Sequence, residues 1–116
     1  MYEYNAKITS VYDGDTCTAE VDLGFEIKFK IKVRFYGIDT AELRSRDPKE
    51  KVSAYEARDY VRSRILDKNV VIRTYKDKKG KYGRYLGEIL VINEANDLIS
   101  LNQELIKLGY AKIYEE

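Results

Sequence analysis

The sequence predicts an α+β domain that is mainly β: a small five-stranded barrel that carries two helices. Apolar and polar residues alternate along three early segments, at Asn5–Tyr12, Thr16–Val21 and Phe25–Phe35. Two later β-rich runs lie at Val70–Thr74 and Tyr85–Ile92. Helical spacing of apolar residues appears between the third and fourth of these segments and again after the fifth. The predicted order is therefore β-β-β-α-β-β-α.

The longest alternating segment is Phe25–Phe35, in which the odd positions are apolar and the even positions are polar. A period of two over this length predicts one long strand with its odd-numbered side chains in a core. Two turn signals, Asp13-Gly14-Asp15 and Asp22-Leu23-Gly24, precede it, and the Asp-Gly pair favours a hairpin with positive φ. We therefore expect the first three strands to form an antiparallel meander.

Two segments show the spacing of helices. Apolar residues three and four positions apart predict a helix over Val52–Leu66, after a mobile loop at Leu43–Lys51. A second loop is predicted over Lys76–Arg84. Ser100 and Gln103 form a capping-box pattern, and Gly109 stands where the C-terminal cap of that second helix is expected. Five strands with a helix between the third and fourth match the OB-fold, a Greek-key barrel that binds oligonucleotides and oligosaccharides.

The absent residue types restrict the chemistry. The 116 residues include no His and one Cys, Cys17, which we expect in the core. A Cys/His zinc site and an intrachain disulfide are therefore excluded, and acid–base catalysis would fall to Asp, Glu, Lys or Tyr. At this length we expect a single domain over residues 1–116. With no visible signal peptide we expect a cytoplasmic monomer without membrane contact, or a secreted one if an export signal preceded Met1.

Charged and polar residues converge at the end of the long strand. Arg34 lies on its polar face, and Asp39, Thr40 and Glu42 follow a few residues later. In an OB-like barrel the turn that holds Asp15 lies near this strand end. Two carboxylates and a backbone carbonyl suit an oxygen-loving cation such as Ca²⁺. Taken singly, each residue also has an ordinary explanation as a turn residue, a solvated acid or a cross-strand ion pair.

Four motifs occur in order along the chain: VYDGDT, VRFYGIDTAE, KYGR and LNQELIKLGYAK. Together they resemble the staphylococcal nuclease (thermonuclease) family, and the resemblance spans roughly Asn5 to Ile113. It implies a Ca²⁺-dependent nuclease with one bound ion that hydrolyses phosphodiester bonds of DNA and RNA. It further implies a preference for single-stranded substrate and cleavage that leaves 3′-phosphate ends.

The resemblance also implies roles for individual residues. The residues concerned are Asp15, Asp39 and Thr40 for the metal, Arg34, Glu42 and Arg84 for catalysis, and Lys81 and Tyr82 with both arginines for substrate binding. Glu42 would be the general base, and Asp13 would support the metal ligands. The chain departs from the family at Ala41, where proline is usual, and at Glu115, where some members have tyrosine. The longer C-terminal helix of the family is also expected to be absent.

Two other functions stay open. The first is a non-catalytic OB-fold module that binds nucleic acid or protein. Such a module is expected to lose some of the charged residues, whereas this chain keeps Asp15, Arg34, Asp39, Glu42 and Arg84. The second is an OB-type binder of sugars or peptides, which would leave the clustered acids and the two arginines unexplained.

Overall fold

The structure is a computed structural model that describes residues 2–75 and 84–115. Its strands are β1 (Tyr2–Asp13), β2 (Thr16–Asp22), β3 (Lys28–Phe35), β4 (Ile38–Thr40), β5 (Asn69–Thr74), β6 (Tyr85–Ile92), β7 (Leu98–Ser100) and β8 (Ala111–Ile113). Its helices are α1 (Pro48–Ile65) and α2 (Leu101–Lys107). Neither helix has both the length and the apolar surface that a membrane crossing needs.

Five strands close into the predicted barrel. β1 pairs antiparallel with β2 and β5, β2 with β3, and β5 with β6. The parallel pairing of Val33–Phe35 with Tyr85–Gly87 joins β3 to β6 and completes the closure. β7 extends the sheet beside β6, and β4 pairs with β8 in a separate small sheet. The sequence did not predict β4, β7 or β8, because three residues are too few for an alternation signal.

The core fills the barrel and the space under the two helices. The fully buried side chains include Ile8, Val33, Phe35, Ile72 and Ile89 from the strands, Val61 and Ile65 from α1, and Leu101 and Leu105 from α2. Helix α2 begins as predicted, since the Ser100 hydroxyl accepts a hydrogen bond from the Gln103 N–H at 3.2 Å. Gly109 follows the helix with φ +85°, as expected of a C-terminal cap.

The predicted strand over Phe25–Phe35 is too long at its start. Residues 23–27 form a loop in which the Leu23 N–H donates to the Ile27 carbonyl and Phe25 has φ 54°. The side chains of Phe25 and Phe29 are 96% and 48% exposed, so the prediction that they face a core is wrong. The reason is that β6 pairs with β3 only from Val33 onward, and the earlier residues extend beyond the closed part of the barrel.

Helix α1 begins earlier than predicted. The Asp47 carboxylate accepts a hydrogen bond from the Lys49 N–H at 3.1 Å, and Pro48 occupies the first turn. An N-cap aspartate followed by proline is a helix-start signal. The predicted mobile loop over Leu43–Lys51 is therefore wrong from Pro48 onward. The predicted apolar face is correct, since Ala54, Ala57, Val61 and Ile65 are all buried.

Candidate active site

A cleft of about 710 Å³ opens where the β1–β2 turn meets the end of β3. Five of the predicted site residues line it: Asp15, Arg34, Asp39, Glu42 and Arg84. They come from four parts of the chain, namely the first turn, β3, the segment from β4 to α1, and the residue before β6. The fold therefore brings together acids and arginines that are up to 69 positions apart in the sequence, from Asp15 to Arg84.

Hydrogen bonds hold the buried Asp15 in place. Its carboxylate accepts from the Thr16 hydroxyl and from the Thr40 N–H, both at 3.2 Å. Its backbone carbonyl accepts from the Phe35 N–H at 2.8 Å. The Asp13 carboxylate in turn accepts from the Asp15 N–H at 3.1 Å. The first turn is thereby tied to both β3 and β4, which fixes the position of the Asp15 side chain.

Gly14 lets this turn pack closely against its neighbours. A Cβ atom at this position would lie 2.8 Å from the Ala57 Cβ and 2.9 Å from the Thr40 Cγ2. Gly14 does not have the positive φ that its sequence context predicted. The glycine is instead required because α1 and β4 leave no space for a side chain.

The acids of the cleft affect each other's ionisation. Burial, and next the charge of Asp15, raise the pKa of Asp13 to about 7. Burial and Asp15 also raise the pKa of Asp39, and Arg34 partly offsets this effect. The three carboxylates therefore repel one another when they are ionised, and a bound cation would relieve that repulsion.

The residues present fit a hard cation. The predicted ligands Asp15, Asp39 and Thr40 offer only oxygen atoms, which suits Ca²⁺ and not zinc. In addition, the Thr40 hydroxyl is buried without a hydrogen-bond partner in the described part of the chain. Residues 2–75 and 84–115 contain no group of three or more His, Cys, Asp or Glu side chains arranged for a metal. An ion in the cleft would therefore bind two carboxylates, a carbonyl and water.

Arg34 lies against both an acid and an aromatic ring. Its Nη2 atom is 3.7 Å from an Asp39 carboxylate oxygen, and its Nη1 donates to the Phe35 carbonyl at 3.2 Å. The guanidinium carbon lies 5.0 Å from the centre of the Tyr114 ring. Tyr114 is brought there because β8 pairs with β4 and the Tyr114 N–H donates to the Gly37 carbonyl. Sequence reasoning missed Tyr114; its only signal is its position next to Glu115.

Arg84 reaches the acid cluster through a hydroxyl. Its Nη1 is 3.4 Å from the Thr16 Oγ1, which donates to Asp15. The predicted substrate-binding residues Lys81 and Tyr82, and the predicted loop from Lys76 up to Gly83, lie outside the described residues. Arg84 is thus the part of the KYGR motif that the structure places in the cleft.

Glu42 is exposed on the wall of the cleft. The first turn of α1 holds its backbone, since the Glu42 N–H donates to the Glu50 carboxylate at 3.4 Å. The same carboxylate accepts from the Ser45 hydroxyl at 2.9 Å. Glu50 was missed by sequence reasoning, because the helix start at Pro48 that places it here was itself missed.

Comparison with known proteins agrees with the fold. The sequence profile of the family described as staphylococcal nuclease homologue matches residues 32–116. The chain belongs to this family. A relative, the uncharacterized protein MJ1439 of Methanocaldococcus jannaschii, is 36% identical over 129 residues, covering 96% of this chain and 59% of the relative. Endonuclease YhcR of Bacillus subtilis is 29% identical over 119 residues, covering 97% of this chain and 9% of that enzyme.

This staphylococcal nuclease homologue keeps its single thiol out of the cleft chemistry. Cys17 is 1% exposed, which confirms the prediction that it belongs to the core. Burial raises its pKa to about 12, so the thiol stays protonated and is not a nucleophile near neutral pH. The candidate chemistry of the cleft therefore depends on carboxylates and guanidinium groups.

Proposed function

We propose that this domain is a Ca²⁺-dependent nuclease that hydrolyses phosphodiester bonds of DNA and RNA. The observation that carries the proposal is the presence of Asp15, Arg34, Asp39, Glu42 and Arg84 on one cleft. Membership of the staphylococcal nuclease homologues, and the printed name of the relative Endonuclease YhcR, support a nuclease function. The site roles, the metal, the substrate preference and the product ends are our proposal.

The two arginines bind the scissile phosphate. A phosphodiester is anionic, so attack by water is slow until its charge is neutralised. Planar guanidinium groups present paired donors to phosphate oxygens and stabilise the charge that builds up in the transition state. Arg34 is oriented by Asp39 and by the Phe35 carbonyl, and Arg84 by the Thr16 hydroxyl.

Asp15, Asp39 and the Thr40 carbonyl would hold the cation. When bound there, Ca²⁺ would supply Lewis-acid chemistry to the phosphodiester. The Asp15 carboxylate is held for this purpose by hydrogen bonds from Thr16 and Thr40. Asp13 orients the turn through its hydrogen bond from the Asp15 N–H.

Glu42 accepts a proton from the attacking water. A positioned carboxylate of this kind contributes typically about 10²–10⁴-fold to the rate. Its exposed position on the cleft wall makes the carboxylate accessible to water. Departure of the 5′-oxygen leaves a 3′-phosphate on one product. Single-stranded or frayed nucleic acid is preferred because a groove on a small barrel follows an accessible backbone more easily than a closed duplex.

The test is digestion of denatured DNA and of RNA, with added Ca²⁺ or with EGTA. We expect cleavage only with Ca²⁺, and products that a polymerase extends only after phosphatase treatment. Unchanged cleavage in EGTA would show that the metal assignment is wrong. Binding of the nucleic acid without cleavage in either condition would instead support the non-catalytic OB-fold module.

A further inference from the structure

The cationic face of β3 extends beyond the residues that the proposed reaction uses. Lys28, Lys30, Lys32 and Arg34 occupy alternate positions and therefore share one face of the strand. Neighbouring members are about 6.6 Å apart along the strand. This interval is similar to the spacing of successive phosphates in an extended nucleic-acid strand. Since Arg34 is placed at the scissile phosphate, Lys32 lies one such interval away from it.

The cross-strand neighbours differ along this row of cations. Lys28 pairs with Asp22, with an ion-pair distance of 3.4 Å, and Lys30 lies opposite Glu20. By contrast, Lys32 lies opposite Thr18, whose own partner on β1 is Ser10. Directly opposed side chains on a sheet interact most strongly with each other. An acid therefore lies opposite each of the two outer lysines and forms an ion pair with Lys28, whereas hydroxyl groups flank Lys32.

A second acid lies beside the outer lysines. In the strand register Glu20 stands between Lys7 on β1 and Lys30 on β3. Among the described residues, no carboxylate forms an ion pair with Lys32. Ser10, Thr18 and Lys32 also line the same 710 Å³ cleft as the candidate catalytic residues. The row is thus continuous with the active site and presents one ammonium and two hydroxyl donors.

We propose that Lys32, with Thr18 and Ser10, forms a subsite for the phosphate next to the scissile phosphate of the substrate strand. An ammonium group and two hydroxyl groups can all donate hydrogen bonds to the oxygen atoms of one phosphate. The subsite ends after this phosphate, because Glu20 and Asp22 lie opposite Lys30 and Lys28 and reduce the net positive charge farther along β3. This inference rests on the proposed nuclease function, because that function places the scissile phosphate of the substrate at Arg34.

The first experiment measures binding without cleavage. A fluorescent single-stranded octanucleotide is titrated in EGTA at several salt concentrations, with the wild type, Lys32→Gln and the matched control Lys28→Gln. We expect Lys32→Gln to weaken binding about tenfold or more at low salt, as for the loss of one charge-assisted contact. The slope of log K against log salt should become shallower by about 0.7. Lys28→Gln should change binding less than about twofold, because its charge is already offset by Asp22.

The second experiment separates the neighbouring phosphate from the scissile one. Lys32→Gln should lower kcat/KM for the octanucleotide by the same factor, and leave kcat/KM unchanged for a nitrophenyl phosphodiester that carries one nucleoside. Thr18→Val should weaken octanucleotide binding about threefold, as for the loss of one neutral hydrogen bond. Thermal unfolding verifies that each variant is folded.

The outcomes separate the two proposals. Equal binding by Lys32→Gln and Lys28→Gln overturns the subsite, whether or not the protein cleaves nucleic acid. An equal loss for the octanucleotide and the nitrophenyl ester also overturns it, since Lys32 would then act on the scissile phosphate. A selective loss of binding by Lys32→Gln, in a protein that cleaves neither substrate, supports the subsite and removes the nuclease proposal.

Discussion

The two halves of β3 have the same alternating sequence and different surroundings. Near the cleft, Val33 and Phe35 are fully buried because β6 pairs with this part of the strand. Near the hairpin, Phe29 is half exposed, and Phe25 in the preceding loop is 96% exposed. Alternation thus correctly predicts the extended conformation of Lys28–Phe35, whereas burial depends on which elements cover the strand. The barrel, the cleft and the candidate site all belong to the half that β6 closes.

The largest expected difference between the two halves is in catalysis. Arg84→Ala should lower kcat by about 10³–10⁵, by analogy with arginines that stabilise phosphoryl-transfer transition states. Lys28→Ala, which removes a cation from the hairpin half, should leave kcat unchanged. The measurement is the steady-state rate on a single-stranded oligonucleotide with Ca²⁺. A near-normal rate for Arg84→Ala in a folded protein would remove this arginine from the mechanism.

The next difference concerns stability. Phe35→Ala removes a fully buried ring and should cost about 3–5 kcal/mol in the free energy of unfolding. Phe25→Ala removes an exposed ring at the hairpin and should change stability by less than about 0.5 kcal/mol. Urea unfolding followed by circular dichroism measures both values. Similar losses for the two variants would mean that the hairpin is covered in solution and that the two halves are equivalent.

The comparison also shows what the sequence could predict. The five barrel strands, the apolar face of α1 and the caps at Ser100 and Gly109 follow from local patterns that depend on neighbouring residues only. The start of β3 was predicted wrongly because burial at Phe25 depends on a strand more than fifty residues away. The prediction for the start of α1 is wrong although Asp47 and Pro48 carry a local start signal, because the charged residues before Val52 show no apolar periodicity.

The sequence predicts the charged residues of the candidate site but not the contacts that orient them. Asp15, Arg34, Asp39, Glu42 and Arg84 were selected from motifs, and the fold places them on one cleft. The contacts that orient them come from segments that have no motif of their own. Tyr114 is brought to Arg34 by the β4–β8 pairing, and Glu50 reaches the Glu42 backbone from α1. Such contacts depend on three-dimensional packing and have no periodic signature.

Cation binding should distinguish the two ends of β2. A ligand that binds only the native state stabilises it by about 2.7 kcal/mol at one hundred times its dissociation constant. We expect this increase when Ca²⁺ is added to the wild type, and none for Asp15→Asn. Asp22→Asn, an acid at the hairpin end, is the matched control and should keep the full increase. The measurement is thermal unfolding across a Ca²⁺ titration, and an equal increase for Asp15→Asn would contradict the proposed ligand set.

The smallest expected effect is the pH dependence of an ion pair that joins the two helices. Arg64 donates two hydrogen bonds to the Glu104 carboxylate, at 2.8 and 2.9 Å, and the Tyr60 hydroxyl donates a third. The hydrogen bonds from Arg64 are the main cause of the lowered pKa of Glu104. Because the folded-state pKa is lowered, the pair stabilises the protein above the unfolded pKa of about 4.3. This stabilisation, about 0.5–1 kcal/mol, is lost as the pH falls through the folded-state pKa.

Glu104→Gln should therefore flatten the decrease in unfolding free energy below pH 4.3 relative to the wild type. The exposed pair of Asp22 and Lys28 provides the comparison at the hairpin. There the pKa of Asp22 is lowered first by the Gly24 N–H, and only next by Lys28. Because this pair is exposed and contributes little to stability, Asp22→Asn should leave the decrease in unfolding free energy at low pH closer to that of the wild type. A larger effect at Asp22 than at Glu104 would mean that the hairpin half contributes more to acid stability than the helix contact does.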